Sequence, residues 1–196
     1  MAYTTLMVQL ESGCANTAVL QAAGDLAERF QAQVVGIAAC RPMQMVYGEA
    51  YLSGELIAQE KKQMQADVDA AEDEFRTALQ TRAAGLAWRS MVMFAPMADL
   101  VVHEARSADL FITARGANDS LEPSRGVPVG DLIMQLGRPV FVVPPVLEDR
   151  TLDRVVVGWT DSREARRAVA DALPLLQKAT HVVVAEMSAD TDFSNV

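Results

Sequence analysis

The sequence is poor in the residues that build metal sites and disulfide frameworks. It contains two cysteines and two histidines among 196 residues, and Cys14 and Cys40 belong to no CxxC pair or other metal-ligand spacing. No apolar run approaches the roughly 18–20 residues that span a bilayer, and the N-terminus lacks the features of a secretory signal. We therefore expect a cytoplasmic protein with no disulfide, no metal site and no membrane partner.

Positive charge is also scarce. The chain has 17 Lys and Arg against 26 Asp and Glu, and its formal net charge is −9. Nucleic-acid binding needs a basic face, but Arg163, Arg166 and Arg167 are mixed with Asp161 and Glu164. We interpret this group as a solvated helix face, and we expect no nucleic-acid partner.

Hydrophobic residues make up 51% of the chain, and they form short apolar runs that alternate with segments of helical periodicity. The predicted strands are 6–10, 34–39, 86–94, 109–113 and 139–143, and the predicted helices are 16–30, 52–84, 96–106 and 128–136. This alternation predicts an α/β fold with a parallel sheet covered by helices on both faces. Right-handed crossovers favour the doubly wound, Rossmann-like strand order 3-2-1-4-5.

The same pattern restarts near residue 153. A strand, a helix and a strand follow one another there, and Ala18, Ala22 and Leu26 have counterparts about 150 residues later, at Ala168, Ala172 and Leu176. We predict a complete domain over 1–146, a linker over 147–152 and a partial second domain, a βαβ unit with a frayed tail, over 153–196. A lone βαβ unit cannot bury both faces of its sheet, so we expect a piece of a tandem protein. The alternative is that this unit packs on the first domain or on a partner chain.

Ligands of open α/β sheets bind beyond the carboxyl ends of the strands, where the strand order reverses. The turns after the first and fourth strands meet there, and the last helix begins there with free N–H groups that suit an anion. The sequence therefore predicts a ligand crevice at this point. Its candidate residues are Leu10, Glu11, Ser12, Thr113, Arg115, Gly116 and Gly126.

The stretch DLFITARG, followed by nine residues, Gly126, a helix and PVFVVPP, resembles the universal stress protein family. The opening strand and turn do so too, and VVVGWTDSREARRAVADALPLL restarts the family pattern, so the resemblance covers essentially the whole chain. It implies a five-stranded Rossmann-like fold, dimers or tandem pairs joined through the last strand, and a role in the stress response. Some members of the family bind ATP and others do not.

The ATP-binding members carry GxxG, nine residues, and then Gly followed by Ser or Thr, and this chain matches that pattern in part. Gly116 and Gly126 are present, but Thr113 replaces the first glycine and Val127 replaces the hydroxyl residue. Glu11 stands where those members have aspartate. Loss of a hydrogen bond to a charged group costs about 1.5–3 kcal/mol, so we expect a degenerate nucleotide site.

Two further side chains near this crevice have simple interpretations. Arg115 either clamps a phosphate through both guanidinium N–H groups or pairs with Asp119 or Glu122 at the surface. Ser12 and its counterpart in the second copy, Ser162, are interpreted as helix caps. The sequence has no GxSxG elbow and no apparent catalytic triad.

We therefore expect a binding and signalling module of the stress response and not an enzyme. The apolar edge strand 139–143, which begins at Pro139, is predicted to join the same strand of another chain in a homodimer. A ligand or a protein partner would control this assembly. No cofactor is certain, and ATP or another adenine nucleotide is the candidate ligand. Two alternatives stay open: an ATP-binding module with slow hydrolysis, and a purely structural dimer scaffold.

Overall fold

The computed structural model describes residues 2–40, 54–92, 97–115, 129–145 and 151–186. The chain divides into two compact units, Ala2–Glu148 and Asp149–Val196. The first unit contains β1 (Thr5–Leu10), α1 (Thr17–Phe30), β2 (Gln33–Cys40), α2 (Gly54–Leu79), β3 (Gly85–Val92), α3 (Met97–Ala105), β4 (Leu110–Ala114), α4 (Val129–Leu136) and β5 (Val140–Val143). The second unit contains β6 (Arg154–Trp159), α5 (Arg163–Leu176) and β7 (His181–Glu186).

The first unit is built on a five-stranded sheet with the order β3-β2-β1-β4-β5. All of its strand pairs are parallel. β1 lies at the centre, with Leu6 opposite Val34 of β2 and Leu110 of β4. The connection from β1 to β2 therefore runs across the sheet in one direction, and the connection from β3 to β4 runs in the opposite direction. The predicted fold class and strand order are confirmed.

Successive side chains of β1 point to opposite faces of the sheet, and each face is covered by two helices. Met7 belongs to a buried cluster with residues of α3 and α4, among them Val102 and Leu132. Leu6 and Val8, on the other face, are completely buried, and α1 and α2 contact the strands on that side. This double cover explains why the strands of a parallel sheet are apolar on both faces.

A glycine in β2 makes room for two aromatic rings. The rings of Phe75 in α2 and Trp88 in β3 lie 5.4 Å apart between centroids. A Cβ atom added at Gly36 would lie 2.5 Å from Trp88 Cε3 and 3.0 Å from Phe75 Cδ2. The two rings therefore occupy the volume that any larger side chain at this position would take.

The predicted end of the long helix was wrong. α2 ends at Leu79 instead of near residue 84, and Gly85, the residue after the predicted end, is the first residue of β3. The N–H of Ala84 donates to the carbonyl of Ala32 (3.0 Å), and Gly85 pairs with Gln33. Pairing with the start of β2 thus overrides the helical periodicity. Neither α2 nor any other described helix combines the length and apolar content needed to cross a bilayer.

The second unit is a parallel βαβ arrangement. β6 pairs with β7 from Arg154 and His181 to Trp159 and Glu186. Ser162 caps α5, because its Oγ accepts a hydrogen bond from the N–H of Ala165 (3.1 Å), so this predicted cap is confirmed. Residues 187–196, predicted as a frayed tail, lie outside the described residues.

The helical counterparts in the two units differ from the predicted ones by one turn. Counted from the first residue of each helix, Ala22 and Ala168 are both sixth, and Phe30 and Leu176 are both fourteenth. Ala18 therefore does not correspond to Ala168. The reason is that the turn between strand and helix spans residues 11–16 in the first unit and only 160–162 in the second.

Candidate ligand-binding site

The carboxyl ends of β1 and β4 lie side by side, as the strand order requires. Val8 pairs with Ile112, which places Gln9 beside Thr113 at the next position. Both side chains are buried, and Thr113 Oγ1 donates to Gln9 Oε1 over 3.2 Å. The Thr113 hydroxyl also lies 3.3 Å from the carbonyl of Ala114. The single donor proton of the Thr113 hydroxyl is thus used within the protein.

The turn after β1 is held in shape by Asn16. Its Oδ1 accepts from the N–H of Glu11 (2.9 Å), and its Nδ2 donates to the carbonyls of Glu11 and Cys14, both at 3.1 Å. Glu74 of α2 accepts from the backbone N–H and from Nδ2 of Asn16, both at 3.3 Å. The buried side-chain amide of Asn16 therefore connects residues of the turn to one another and to α2, which is distant in sequence.

Glu11 is a half-buried carboxylate in this turn. Burial raises the pKa of its carboxyl group above the ordinary value, and no described cation opposes that effect. A carboxylate in this position can accept hydrogen bonds from hydroxyl or amino groups. It disfavours a phosphate nearby, because two negative charges at short range repel each other.

Ser12 is buried beside Glu11, and the prediction that it caps a helix was wrong. α1 begins at Thr17 and Asn16 is its N-cap residue, so Ser12 lies too far from the helix start. Within the described part of the chain, Ser12 Oγ has no hydrogen-bond partner. Buried hydroxyl groups are normally paired with protein, water or ligand, so Ser12 Oγ is a candidate contact for a water molecule or a ligand.

The other predicted site residues contribute differently. The side chain of Leu10 is buried in the core, so only its backbone borders the crevice. Arg115 is exposed, and its backbone N–H donates to the carbonyl of Val143 (2.6 Å), which prolongs the pairing of β4 with β5. Gly116, Gly126 and Val127, with the proposed Arg115 partners Asp119 and Glu122, lie outside the described residues. The two interpretations of Arg115 remain open.

A separate cavity of about 390 Å³ opens between β2, β3 and α3. Arg89 of β3 forms an ion pair with Glu104 of α3 at its border and also contacts Ser107 Oγ (3.3 Å). The residues that line it are Ile37, Ala38, Trp88, Arg89, Ser90, Met91, Leu100 and Glu104. No local sequence pattern predicts this cavity, because its walls come from elements far apart in the chain. In the described ranges, no three or more His, Cys, Asp or Glu side chains form a group that could hold a metal ion.

No family model and no curated protein sequence matches the chain, but solved structures do. UspA from Lactobacillus plantarum shares 20% identity over 73% of this chain and 99% of its own, with a TM-score of 0.53. A universal stress protein from Archaeoglobus fulgidus DSM 4304 shares 15% identity over 97% of this chain and 69% of its own, with a TM-score of 0.68. The chain has the universal stress protein fold. The resemblance inferred from the residues is confirmed at the level of the fold.

The strand order of this fold explains why the candidate residues come from neighbouring strand ends. Crossovers leave β1 and β4 in opposite directions, so the turns that carry Glu11 and Ser12 and the strand end that carries Thr113 meet at one edge of the sheet. Sequence reasoning did not predict the hydrogen bond between Gln9 and Thr113 or the clamping role of Asn16. A polar residue inside an apolar strand was the available signal for Gln9, and an Asn at a helix start was the signal for Asn16.

Proposed function

We propose that the first unit is a universal stress protein-like binding and signalling module with a degenerate adenine-nucleotide site. The observation that carries this proposal is the pairing of two features in one turn. The half-buried Glu11 has no described counter-charge, and the buried Ser12 hydroxyl has no described partner. Together they suit a ligand that offers hydroxyl and amino groups, such as a nucleoside, better than they suit its phosphates.

The end of β4 supplies the argument for a weakened phosphate site. Thr113 stands where the ATP-binding pattern has glycine, and its side chain is held under the crevice by Gln9. This position therefore offers neither the open backbone of a glycine nor a free hydroxyl. Gly116 and Gly126, which match the pattern in sequence, favour the second candidate function, an ATP-binding module with slow hydrolysis.

We further propose that the module works as a homodimer in the cytoplasm, with assembly controlled by a ligand or a protein partner. β5 stands at one edge of the described sheet, and its Val142 is partly exposed. An apolar edge strand favours pairing with another strand.

Titration calorimetry with adenosine, and with ATP in the presence of Mg²⁺, tests the ligand. We expect the two affinities to differ by less than tenfold, because the phosphates add little. Glu11→Ala should weaken adenosine binding by about tenfold, which corresponds to about 1.4 kcal/mol. Asp69→Asn, which changes an exposed carboxylate of α2, is the control and should leave binding unchanged.

Two results would contradict this proposal. Failure of every adenine compound to bind at millimolar concentration would favour the structural scaffold. ATP binding more than tenfold tighter than adenosine, abolished by Gly126→Glu, would favour the ATP-binding alternative.

A further inference from the structure

Asn16 stands at the start of α1, but its side chain does not cap that helix. Asn16 is the N-cap residue of α1, and its side chain forms no cap hydrogen bond there. The residue is 5% exposed, and its amide group instead contacts the backbone of Glu11 and Cys14 in the turn after β1. The orientation of this amide therefore helps to fix the backbone that carries Glu11 and Ser12.

Glu74 of α2 contacts Asn16 through both oxygens of its carboxylate. Oε1 accepts from the backbone N–H of Asn16 and Oε2 accepts from Nδ2, each over 3.3 Å. An ionised carboxylate only accepts hydrogen bonds, so it requires a donor at both positions. The amide is thereby held with Nδ2 toward Glu74, which leaves Oδ1 to accept from the N–H of Glu11. The carbonyls of Glu11 and Cys14 also accept from Nδ2 and favour the same orientation.

The part of α2 that carries Glu74 is itself fixed to the sheet. Phe75, the next residue, is completely buried, and its ring packs against Trp88 of β3. Leu79, one turn further along α2, is also completely buried. Among the described residues, the hydrogen bonds of Glu74 both go to Asn16. Glu74 therefore holds the turn from a rigid element, which is the arrangement that keeps a binding site precise.

We propose that Glu74 is a positioning residue of the ligand site, which holds the turn carrying Glu11 and Ser12 through Asn16 and does not itself contact the ligand. The effect on the turn follows from the hydrogen bonds alone. The effect on binding rests on the function proposed above, in which this turn receives the hydroxyl and amino groups of a nucleoside.

Two simpler roles of Glu74 predict different results. A negative charge near the start of α1 stabilises that helix through its dipole, and such a role affects stability without changing the backbone around Glu11. A general effect of negative charge on the site would be shared by Asp73, the preceding residue of α2, whose side chain is exposed. Asp73→Asn is therefore the matched control, because it removes the same charge one position away.

Glu74→Gln is nearly isosteric, but its amide offers one acceptor where Asn16 presents two donors. In the free 196-residue chain, we expect the backbone amide of Glu11 to exchange about tenfold faster in this variant, measured by NMR-detected hydrogen exchange. Titration calorimetry should show adenosine binding about fivefold weaker. Asp73→Asn should leave both quantities within about twofold of the unmodified chain. In an Asn16→Ala background, Glu74→Gln should not change the exchange of the Glu11 amide further, because Glu74 acts through Asn16.

Unchanged exchange of the Glu11 amide in Glu74→Gln overturns this proposal, whatever happens to binding. Equal effects of Glu74→Gln and Asp73→Asn overturn it too, since charge alone would then explain them. Faster exchange with unchanged adenosine affinity removes the role of Glu74 in binding. If adenosine fails to bind the unmodified chain, the proposed function fails, and the exchange of the Glu11 amide still decides whether Glu74 positions the turn.

Discussion

At the residue scale, the packing around Gly36 predicts that a larger residue there destabilises the fold. A methyl group at this position would lie 2.5 Å from the Trp88 ring, and both aromatic rings sit in a packed layer. Overpacking of this kind costs about 1–3 kcal/mol, so Gly36→Ala should lower the free energy of unfolding by that amount. Urea unfolding followed by Trp88 fluorescence, in a Trp159→Phe background, measures it.

Gly158→Ala in β6 is the matched control, because nothing lies within 4 Å of a Cβ atom there. It should leave the unfolding transition unchanged within about 0.5 kcal/mol. If the Gly36 and Gly158 variants prove equally stable, the tight contact with Trp88 does not exist in solution.

Asp109 holds the start of β1 against the start of β4. Its Oδ2 accepts hydrogen bonds from the N–H and Oγ1 of Thr4, both at 2.8 Å, and from the N–H of Thr5 at 3.0 Å. Burial raises the pKa of Asp109, but these hydrogen bonds and the charge of Arg138 outweigh that effect, so the net pKa is lowered. The charged form is therefore the one that stabilises the fold.

The sign of the pH dependence follows from this lowered pKa. The stabilisation is fully present above the unfolded-state pKa of about 4 and is lost as the pH falls through the lower folded-state value. Asp109→Asn should thus cost about 1–2 kcal/mol at pH 7, and the difference from the unmodified chain should shrink at pH 3. Urea unfolding at the two pH values measures this, and a difference that does not change with pH would refute the assignment.

At the scale of the elements, local sequence pattern was sufficient to predict the order of the strands and helices. The order of strands and helices follows from the alternation of short apolar runs with helical periodicity, and the sheet order follows from the handedness of crossovers. The end of α2 was missed because it depends on pairing with Ala32 and Gln33, which the helix periodicity does not encode. The start of the helix after β1 was predicted to within one residue, but its cap was wrongly assigned to Ser12 instead of Asn16, because Ser12 satisfies the local cap pattern equally well.

The candidate site shows the same division between local and distant information. The adjacency of the carboxyl ends of β1 and β4 follows from strand order, and the sequence placed Glu11 and Thr113 at those two strand ends. The hydrogen bond between Gln9 and Thr113 joins residues 104 positions apart, and Asn16 reaches Glu74 across 58 positions. Each of these residues has a local signal, but which distant residue it contacts has no signature in a single sequence, so these hydrogen bonds could not be predicted.

At the scale of the whole molecule, the proposed homodimer brings together two acidic chains. Each chain carries a formal net charge of −9, so association works against electrostatic repulsion that salt screens. We expect the dimer dissociation constant, measured by sedimentation equilibrium, to fall between about 0.01 M and 0.15 M salt. The Debye length shortens from about 30 Å to 8 Å over that range.

Val142→Lys tests the pairing strand itself. Val142 is 39% exposed on the edge strand β5, and a lysine there places two like charges together in the dimer, since the same strand of each chain meets the other. This variant should sediment as a monomer. Met134→Lys, at an 85% exposed position of α4, adds the same charge outside the strand and should remain a dimer. A monomeric unmodified chain, or dissociation by both variants alike, would remove β5 as the interface, because charge alone would then explain the result.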